Sequence, residues 1–313
     1  MELKLHYMFI YLFEGVKELI RINKLSKSYG NKLAIDNLDL HIKQGELFGF
    51  LGPNGAGKTT TINILSTLLK PDYGSISING FDVLKNANEI KSSIGLIPQE
   101  LSIYEDLSAW ENMMFWGKLY GLSSSLIKSK SIELLKFVDL FQKKDESVKN
   151  YSGGMKRRLN IIIGLIHNPA IIFFDEPTVG VDTQSRNFIF EMIKSLHNEG
   201  KTIIYTSHYI EEIEKLCTRV AIIDFGKLIA LGTVSELCGQ LSYDEKFEIF
   251  YSEDDTSKNQ KTIIIQGDDV KENLLGSLQQ IKNHNQIIND IKYTKANLEE
   301  VFLYHTGRKF RED

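Results

Sequence analysis

Two glycine-containing segments of this chain have the residue types and spacing that bind phosphate. The first, GPNGAGKT at residues 52–59, matches the pattern G-x-x-x-x-G-K-[ST]. Glycines there let backbone N–H groups curve around phosphate oxygens, and the positive end of the following helix adds to the attraction. In this pattern Lys58 reaches the β- and γ-phosphates of a nucleotide, and the Thr59 hydroxyl contacts Mg²⁺. The segment therefore predicts a nucleoside triphosphate site.

The second segment, YSGGMKRR at residues 151–158, opens a basic helix with a serine and two glycines. Such a helix start can hold an anion in the same way as the first segment. Ser152 followed by glycines is also typical of a helix N-cap, which is a structural role. The residues alone leave both interpretations open.

Polar residues that could complete a hydrolytic site stand where apolar runs end. Asp175 and Glu176 close the run AIIFFDE, where the first acid can hold Mg²⁺ and the second can polarise a water. Gln99 closes GLIPQ, and His208 closes TIIYTSH. Taken alone, each of these residues is more often structural, the acidic pair as a helix N-cap signal. Ligands of open parallel sheets bind at the carboxyl ends of the strands, so together they point to one site.

The elements that must position these residues alternate as in an α/β protein. The run at 46–52 predicts a buried strand, and the helix predicted at 59–70 is ended by Pro71. Continuous apolar runs of strand length, typical of a parallel sheet covered on both faces, occur at 92–99, 170–177 and 202–208. We therefore expect a parallel sheet whose strand ends carry the site.

Changes in the pattern of apolar and polar residues along the chain predict its domain organisation. Residues 19–235 are expected to form the main α/β domain, with a helical insertion at about 100–168. Residues 236–313 alternate polar patches with short strand-like and helical runs, which predicts a small α+β accessory domain. Residues 1–18 are expected to be an apolar extension that folds onto the domain, or the product of a misassigned start codon.

Composition narrows the functional classes. The chain has 313 residues, a net charge of −4 and no basic excess, so a nucleic-acid partner is not expected. Two cysteines give no disulfide framework and fit a reducing cytosol. No apolar run approaches the ~20 residues that a membrane span needs. A role at a membrane would require another chain to cross it.

The motifs and their order resemble the nucleotide-binding subunit of an ABC transporter, over roughly residues 19–235. GPNGAGKTT is similar to the family's Walker A motif, IIFFDEP to Walker B with the catalytic glutamate, and YSGGM to the signature motif. VGVD is similar to the D-loop, Gln99 to the Q-loop residue and His208 to the switch histidine, and Tyr29 stands where the family stacks an aromatic ring on adenine. The fold implied is a P-loop NTPase core with a parallel sheet, an antiparallel β subdomain, a helical insertion and a small α+β C-terminal appendage.

The resemblance also implies the roles of individual residues. The implied nucleotide-binding residues are Tyr29, Gly52, Pro53, Asn54, Gly55, Ala56, Gly57, Lys58, Thr59, Thr60, Ser152, Gly153, Gly154 and Asp182. The implied catalytic residues are Glu176, His208, Lys58 and Gln99, and the implied Mg²⁺ residues are Thr59, Gln99 and Asp175. Two subunits of the family dimerise head to tail around ATP, so YSGGM is expected to contact the partner's γ-phosphate.

The signature differs from the commoner Leu-Ser-Gly-Gly-Gln at Tyr151 and Met155. This variant and the ending NLEEVFLYHTGR resemble a subgroup of exporter ATPases that includes drug- and antibiotic-resistance pumps. The implied protein is an ATP-hydrolysing subunit at the cytoplasmic face of the membrane, working with a separate integral membrane permease. An importer ATPase, a non-transport ABC-type ATPase and a regulatory ATPase stay open as alternatives, as do the transported substrate and the choice between a homodimer and a paralogue dimer.

An aromatic and methionine-rich stretch at residues 109–121 allows two interpretations. Trp110, Met113, Met114 and Trp116 could line a groove that receives the permease, since such side chains suit adaptable surfaces. They could equally form the insertion's own core.

Overall fold

The computed structural model describes residues 18–241, 245–253, 261–267 and 269–310. The chain forms two compact units, of which the first ends at Leu228 and the second begins at Ile229. The predicted boundary at residues 235/236 stays a prediction. Apart from Glu18, the predicted N-terminal extension lies outside the described residues.

A sheet with four parallel strand pairings forms the centre of the first unit, as predicted. Its strands are β3 (Leu47–Leu51), β6 (Ile94–Ile97), β7 (Ile171–Asp175), β8 (Thr202–Ser207) and β9 (Arg219–Asp224), and the boundary between the units falls within the next strand, β10 (Lys227–Gly232). The strand order is β10-β9-β3-β8-β7-β6, and the pairings of β3 with β8 and β9, and of β7 with β6 and β8, are parallel. Every residue of β3, β7 and β8 is buried. Because successive side chains point to opposite faces, such strands must be covered on both sides.

A second, antiparallel sheet belongs to the same unit and confirms the predicted β subdomain. Its strands are β1 (Glu18–Tyr29), β2 (Lys32–Lys43), β4 (Tyr73–Ile78) and β5 (Phe81–Asp82). They follow the order β2-β1-β4-β5 with antiparallel pairing throughout. Leu38, Leu40 and Ile42 alternate with more exposed residues along β2, as expected for a sheet with one face packed on the core.

The helices of the first unit connect the strands and form the helical insertion. They are α1 (Lys58–Leu65), α2 (Ala87–Ser93), α3 (Ala109–Leu119), α4 (Ser124–Phe137), α5 (Gly153–Leu165), α6 (Thr183–Asn198) and α7 (Ile210–Leu216), with 3₁₀ turns at Phe141–Lys143 and Val148–Asn150. The prediction that the first helix extends to residue 70 is wrong, because Thr67 has a φ of +63° and both Leu68 and Leu69 donate to the Asn63 carbonyl. These contacts turn the chain out of the helix after Leu65. Within the described ranges, no helix is long and apolar enough to cross a membrane.

The second unit has the predicted α+β composition. Its elements after β10 are α8 (Val234–Cys238), β11 (Glu245–Ser252), β12 (Lys261–Gln266), α9 (Val270–Asn283), β13 (Ile287–Lys295) and α10 (Leu298–Thr306). The antiparallel sheet has the order β12-β11-β13, and its core is built by Ile249, Ile265, Val270 and Ile281. The last two of these lie on α9, so this helix covers one face of the sheet.

The strand order decides where the predicted site residues can meet. Strands β3, β8, β7 and β6 are consecutive neighbours, and their pairings are parallel. Their carboxyl ends therefore lie along one edge of the sheet. The phosphate-binding segment at residues 52–59, called the P-loop from here on, follows β3. His208 follows β8, Glu176 follows β7, and Gln99 comes two residues after β6.

Candidate active site

The P-loop joins β3 to α1 and is shaped by a glycine at the start of the helix. Gly57 has a φ of +107°, and a Cβ there would lie 2.5 Å from the Ala34 carbonyl oxygen. Any larger residue would therefore be strained and would clash with backbone. Lys58 follows, and its Nζ donates to the carbonyls of Gly52 at 2.6 Å and Pro53 at 3.3 Å. The loop thus folds its own carbonyls around a lysine that is only 4% exposed.

Asp175 at the end of β7 faces the start of α1. The register of β7 and β8 places Asp175 opposite Thr206, whose hydroxyl donates to Asp175 Oδ1 at 2.7 Å. The Thr59 hydroxyl donates to the same oxygen at 3.2 Å. Burial raises the pKa of Asp175 above its usual value, while the hydrogen bonds from Thr206 and Thr59 oppose that rise. Side-chain oxygens of two different elements are therefore held together at this point.

Glu176 links the P-loop to the strand end that carries His208. Its Oε1 lies 2.9 Å from Lys58 Nζ, and its Oε2 lies 2.9 Å from His208 Nδ1. The backbone of Glu176 is in the left-handed region, with a φ of +45°, and its N–H donates to the Thr206 hydroxyl at 2.9 Å. A non-glycine residue seldom adopts this conformation, and such positions cluster at functional sites. The carboxylate is consequently aimed at the loop by the backbone as well as by its two partners.

A cavity of about 280 Å³ collects the residues predicted from the strand ends. It is lined by Tyr29, Lys32, Ala34, Asn54, Gly55, Gly57, Lys58, Thr59, Thr60, Gln99 and Glu176. Asp175 and His208 join this group through their contacts with Thr59 and Glu176. Tyr29 is 51% exposed, so its ring is accessible at the cavity. Residues far apart in sequence, following four neighbouring strands, are thereby brought to one place.

The second glycine segment lies outside this cavity. Of the described residues, none of Ser152, Gly153, Gly154 or Asp182 is among those that line it. Ser152 caps α5 by accepting from the Met155 N–H at 3.3 Å, and Gly154 packs on α6, where an added Cβ would lie 2.1 Å from Ser185 Oγ. Ser152 and Gly153 remain exposed. The cap that the sequence allowed is therefore present, and it leaves these two residues accessible from outside the chain.

The unusual tyrosine of this segment has a structural explanation. Tyr151 is buried, and its hydroxyl donates to the Lys143 carbonyl at 2.6 Å. Burial, aided by the nearby charges of Glu146 and Asp145, raises the pKa of Tyr151 to about 12. The residue therefore stays neutral and ties the start of α5 to a 3₁₀ turn of the helical insertion.

Sequence reasoning missed Arg157, which connects two segments of the site. This buried residue of α5 donates to the carbonyls of Pro177 at 2.5 Å, Gln99 at 2.8 Å, Pro98 at 2.9 Å and Glu176 at 3.1 Å. It thereby holds the segment after β6 against the turn after β7. The sequence does contain a signal for the burial of Arg157. The residue lies four positions before Ile161, on the same apolar face of α5, where a charged residue is not expected.

These features define a P-loop nucleoside triphosphatase, and comparison with known proteins gives the family. The ABC transporter profile matches residues 35–179. Over 234 residues, 75% of each chain, this protein is 45% identical to the linearmycin resistance ATP-binding protein LnrL of Bacillus subtilis. It is 36% identical over 299 residues to the Nod factor export ATP-binding protein I of Paraburkholderia xenovorans, covering 94% of this chain and 98% of that one. A dimeric ATP-binding cassette in a post-hydrolysis state, bound to ADP and Pi, superposes with a TM-score of 0.63 at 26% identity, over 69% of this chain and 98% of that chain.

The chain therefore belongs to the ABC transporter family as an ATP-binding subunit. It binds and hydrolyses ATP, and subunits of this kind dimerise and work with membrane permease subunits. The predictions of the family, the fold class and the ATP hydrolase activity are confirmed. The roles of the single residues stay predictions.

Proposed function

We propose that this chain drives export: two ATPase subunits close head to tail on Mg·ATP and pass the movement to a separate membrane permease. The observation that carries this proposal is the chain of contacts from Lys58 through Glu176 to His208 at one cavity, with the exposed Ser152 and Gly153 outside it. Export, rather than import, is supported by the names of the two relatives, one of antibiotic resistance and one of Nod factor export. The subunit would lie at the cytoplasmic face of the membrane.

In this function each side chain has a separate task. The P-loop N–H groups and Lys58 stabilise the negative charge of the phosphates. Lys58 also neutralises Glu176 at 2.9 Å, so phosphates that attract Lys58 weaken its hold on that carboxylate. Glu176 is then free to orient a water and accept its proton. His208 keeps Glu176 oriented and holds the γ-phosphate, and Tyr29 stacks on the adenine.

The residues present fit a Mg²⁺ ion. Thr59 Oγ1 and Asp175 Oδ1 are 3.2 Å apart, and Gln99 lines the same cavity. Mg²⁺ prefers oxygen ligands and takes only one or two from the protein beside substrate phosphates. Among the described residues there is no cluster of three or more His, Cys, Asp or Glu that could hold a metal by itself. Thr59, Asp175 and Gln99 would therefore hold Mg²⁺ together with the nucleotide, and its charge would offset that of the phosphates.

The exposed segment at the start of α5 would serve the partner subunit's nucleotide. Ser152 and Gly153 are exposed, and an added Cβ at Gly153 would meet nothing within 4 Å. A substitution of Gly153 by alanine therefore leaves the subunit's own packing intact. In a closed dimer the same methyl group would stand between the backbone and the partner's phosphate.

The permease would dock on the helical insertion. A cavity of about 320 Å³ between the insertion and the core is lined in part by Trp116 and Tyr120 of the insertion and by Leu96 of β6. The exposed ring of Phe115 packs edge-on against Trp116 at 5.6 Å. Met113 is fully buried, so for this residue the interpretation as core is correct. Trp116 instead lines the cavity and is available to a helix of the permease. Residues 236–313 would form an accessory domain for regulation or dimer support.

Sedimentation of Glu176→Gln with and without Mg·ATP tests the proposal. This variant should bind ATP, lose hydrolysis by about 10²–10⁴-fold as expected for a missing general base, and change from monomer to dimer. Gly153→Ala in the same background should retain ATP binding but form fewer dimers. Gly276→Ala, another glycine with open space around it, is the matched control. Normal turnover of Glu176→Gln would refute the assigned base, and unimpaired dimers of the Gly153 variant would refute the contact in trans.

A further inference from the structure

A buried carboxylate outside the nucleotide cavity collects hydrogen bonds from the segments that carry the catalytic side chains. Glu212 of α7 is 3% exposed. It accepts hydrogen bonds from Thr178 Oγ1 at 2.7 Å, and from the hydroxyls of Tyr205 and Ser207 at 2.8 Å each. A buried charge is tolerated when such donors surround it. None of the predicted site residues accounts for this cluster.

Two of the three donors lie close in sequence to His208 and Glu176. Ser207 immediately precedes His208, and its hydroxyl also accepts from the Tyr209 N–H at 2.9 Å, so the backbone is fixed on both sides of the histidine. Thr178 lies two residues after Glu176, in the turn that follows β7. Glu212 consequently joins the segment that carries His208 to the turn that carries Glu176.

The chemistry of the cluster favours a fixed arrangement of donors and acceptor. Burial and the neighbouring charge of Glu212 raise the pKa of Tyr205 far above its usual value, so its hydroxyl stays protonated and donates. Arg186 Nε lies 3.6 Å from Glu212 Oε1, and the guanidinium stands over the Tyr209 ring at 5.6 Å. Arg186 follows the helix cap made by Asp182, so the cluster also reaches the predicted D-loop.

We propose that Glu212 is a positioning residue for ATP hydrolysis, which holds His208 and Glu176 at their mutual contact of 2.9 Å. The inference rests on the roles proposed above for these two residues. Glu212 touches neither the nucleotide cavity nor the reacting atoms, and it acts through the backbone of Ser207 and the turn at Thr178. Its loss should therefore affect turnover much more than nucleotide binding.

The experiment compares turnover with binding in matched variants of the full chain. Glu212→Ala should lower kcat by about 10-fold or more, because small displacements of reacting groups cost this much, while the Kd for a non-hydrolysable ATP analogue changes little. Glu212→Gln should recover most of the rate, since its amide oxygen still accepts from two hydroxyls. Glu211→Ala, an exposed carboxylate on the same helix, should hydrolyse ATP like the wild type.

A double-mutant comparison with His208 distinguishes a positioning role of Glu212 from a general loss of structure. If Glu212 acts through His208, adding Glu212→Ala to His208→Ala should reduce the residual rate far less than it reduces the wild-type rate. An equal reduction in both backgrounds, or an unchanged kcat of Glu212→Ala, would overturn the inference. If Glu212→Ala does not fold, Ser207→Ala decides in the same way. Full activity of His208→Ala alone would instead refute the proposed role of the histidine.

Discussion

Replacement of Arg157 by methionine isolates what a buried guanidinium contributes to the site. Arg157 is 3% exposed and donates to four backbone carbonyls within 3.1 Å. These carbonyls belong to the segment after β6 and the turn after β7, two parts of the chain separated by more than seventy residues. Methionine is unbranched and flexible like the arginine stem, but it is shorter and cannot donate a hydrogen bond.

Two opposing effects determine how much Arg157→Met changes the free energy of unfolding. Burial lowers the pKa of Arg157 to about 10, so keeping it charged near neutral pH costs about 3 kcal/mol, which methionine would recover. Against this, the buried carbonyls of Pro177 and Glu176 lose their donor, at about 1–3 kcal/mol each. The partly buried bonds to Pro98 and Gln99 are lost as well, at about 0.5–1.5 kcal/mol each. The second effect sums to about 3–9 kcal/mol and outweighs the first. We expect Arg157→Met to lower the free energy of unfolding by about 3 kcal/mol.

Urea unfolding near neutral pH measures this difference, with ATP hydrolysis followed in parallel. Arg157→Lys should also be destabilising, because a single ammonium cannot serve carbonyls on both segments. Among the described residues, the neighbouring Arg158 donates to a single carbonyl, that of Val138, so Arg158→Met should cost about 1 kcal/mol. If Arg157→Met is no more destabilised than Arg158→Met, the inference that Arg157 joins the two segments is wrong. Hydrolysis should fall in the Arg157 variants, since Gln99 and Glu176 lose their shared support.

Two further predictions concern single contacts. Lys58→Ala should abolish ATP binding in equilibrium titrations, because the cation that lies in the P-loop is lost; an unchanged nucleotide affinity would contradict its assigned role. Tyr151→Phe should lower the free energy of unfolding by about 1 kcal/mol at pH 8, through the lost bond to the Lys143 carbonyl. The pKa of Tyr151 is raised to about 12 in the folded state, so the wild type holds this proton while the unfolded chain releases it above about pH 10. Wild-type stability should therefore fall between these pH values, and it should fall less in the phenylalanine variant when the two are unfolded in parallel.

The strand ends that carry the site could be predicted because they depend on local patterns. Short continuous apolar runs are typical of strands in a sheet covered on both faces, and the polar residue that follows such a run lies where the strand ends. For Gln99, Glu176 and His208 this rule gave the correct edge of the sheet. The glycine pattern before Lys58 similarly fixed the loop and the helix start, because few backbone conformations can follow it.

The contacts that support these residues could not be predicted, because they depend on register and packing between distant segments. In the sequence, Thr206 is one residue of an otherwise apolar strand. The register of β7 and β8 places its hydroxyl where it donates to Asp175 and accepts from the Glu176 N–H. Glu212 follows another acid in a short amphipathic helix, and nothing in that pattern indicates which of the two is buried. Sequence periodicity gives the face of an element but not its partner.

Arg157 offers a physical reason why one chain would carry a second glycine segment, which we propose binds the partner's phosphate. Ser152 lies at the exposed start of α5, and Arg157, less than two turns along the same helix, is hydrogen-bonded behind Gln99 and Glu176. A phosphate held by Ser152 in trans would therefore contact a helix that is already bonded to Gln99, proposed to hold Mg²⁺, and to Glu176, proposed to activate the water at the chain's own nucleotide. Over so short a distance a helix moves as a rigid body, because the bond from the Lys156 N–H to the Ser152 carbonyl already closes its first turn. If the two sites of a dimer do respond to each other, Arg157→Lys should hydrolyse ATP with weaker dependence on dimer formation, whereas loss of the P-loop lysine should abolish hydrolysis at any concentration.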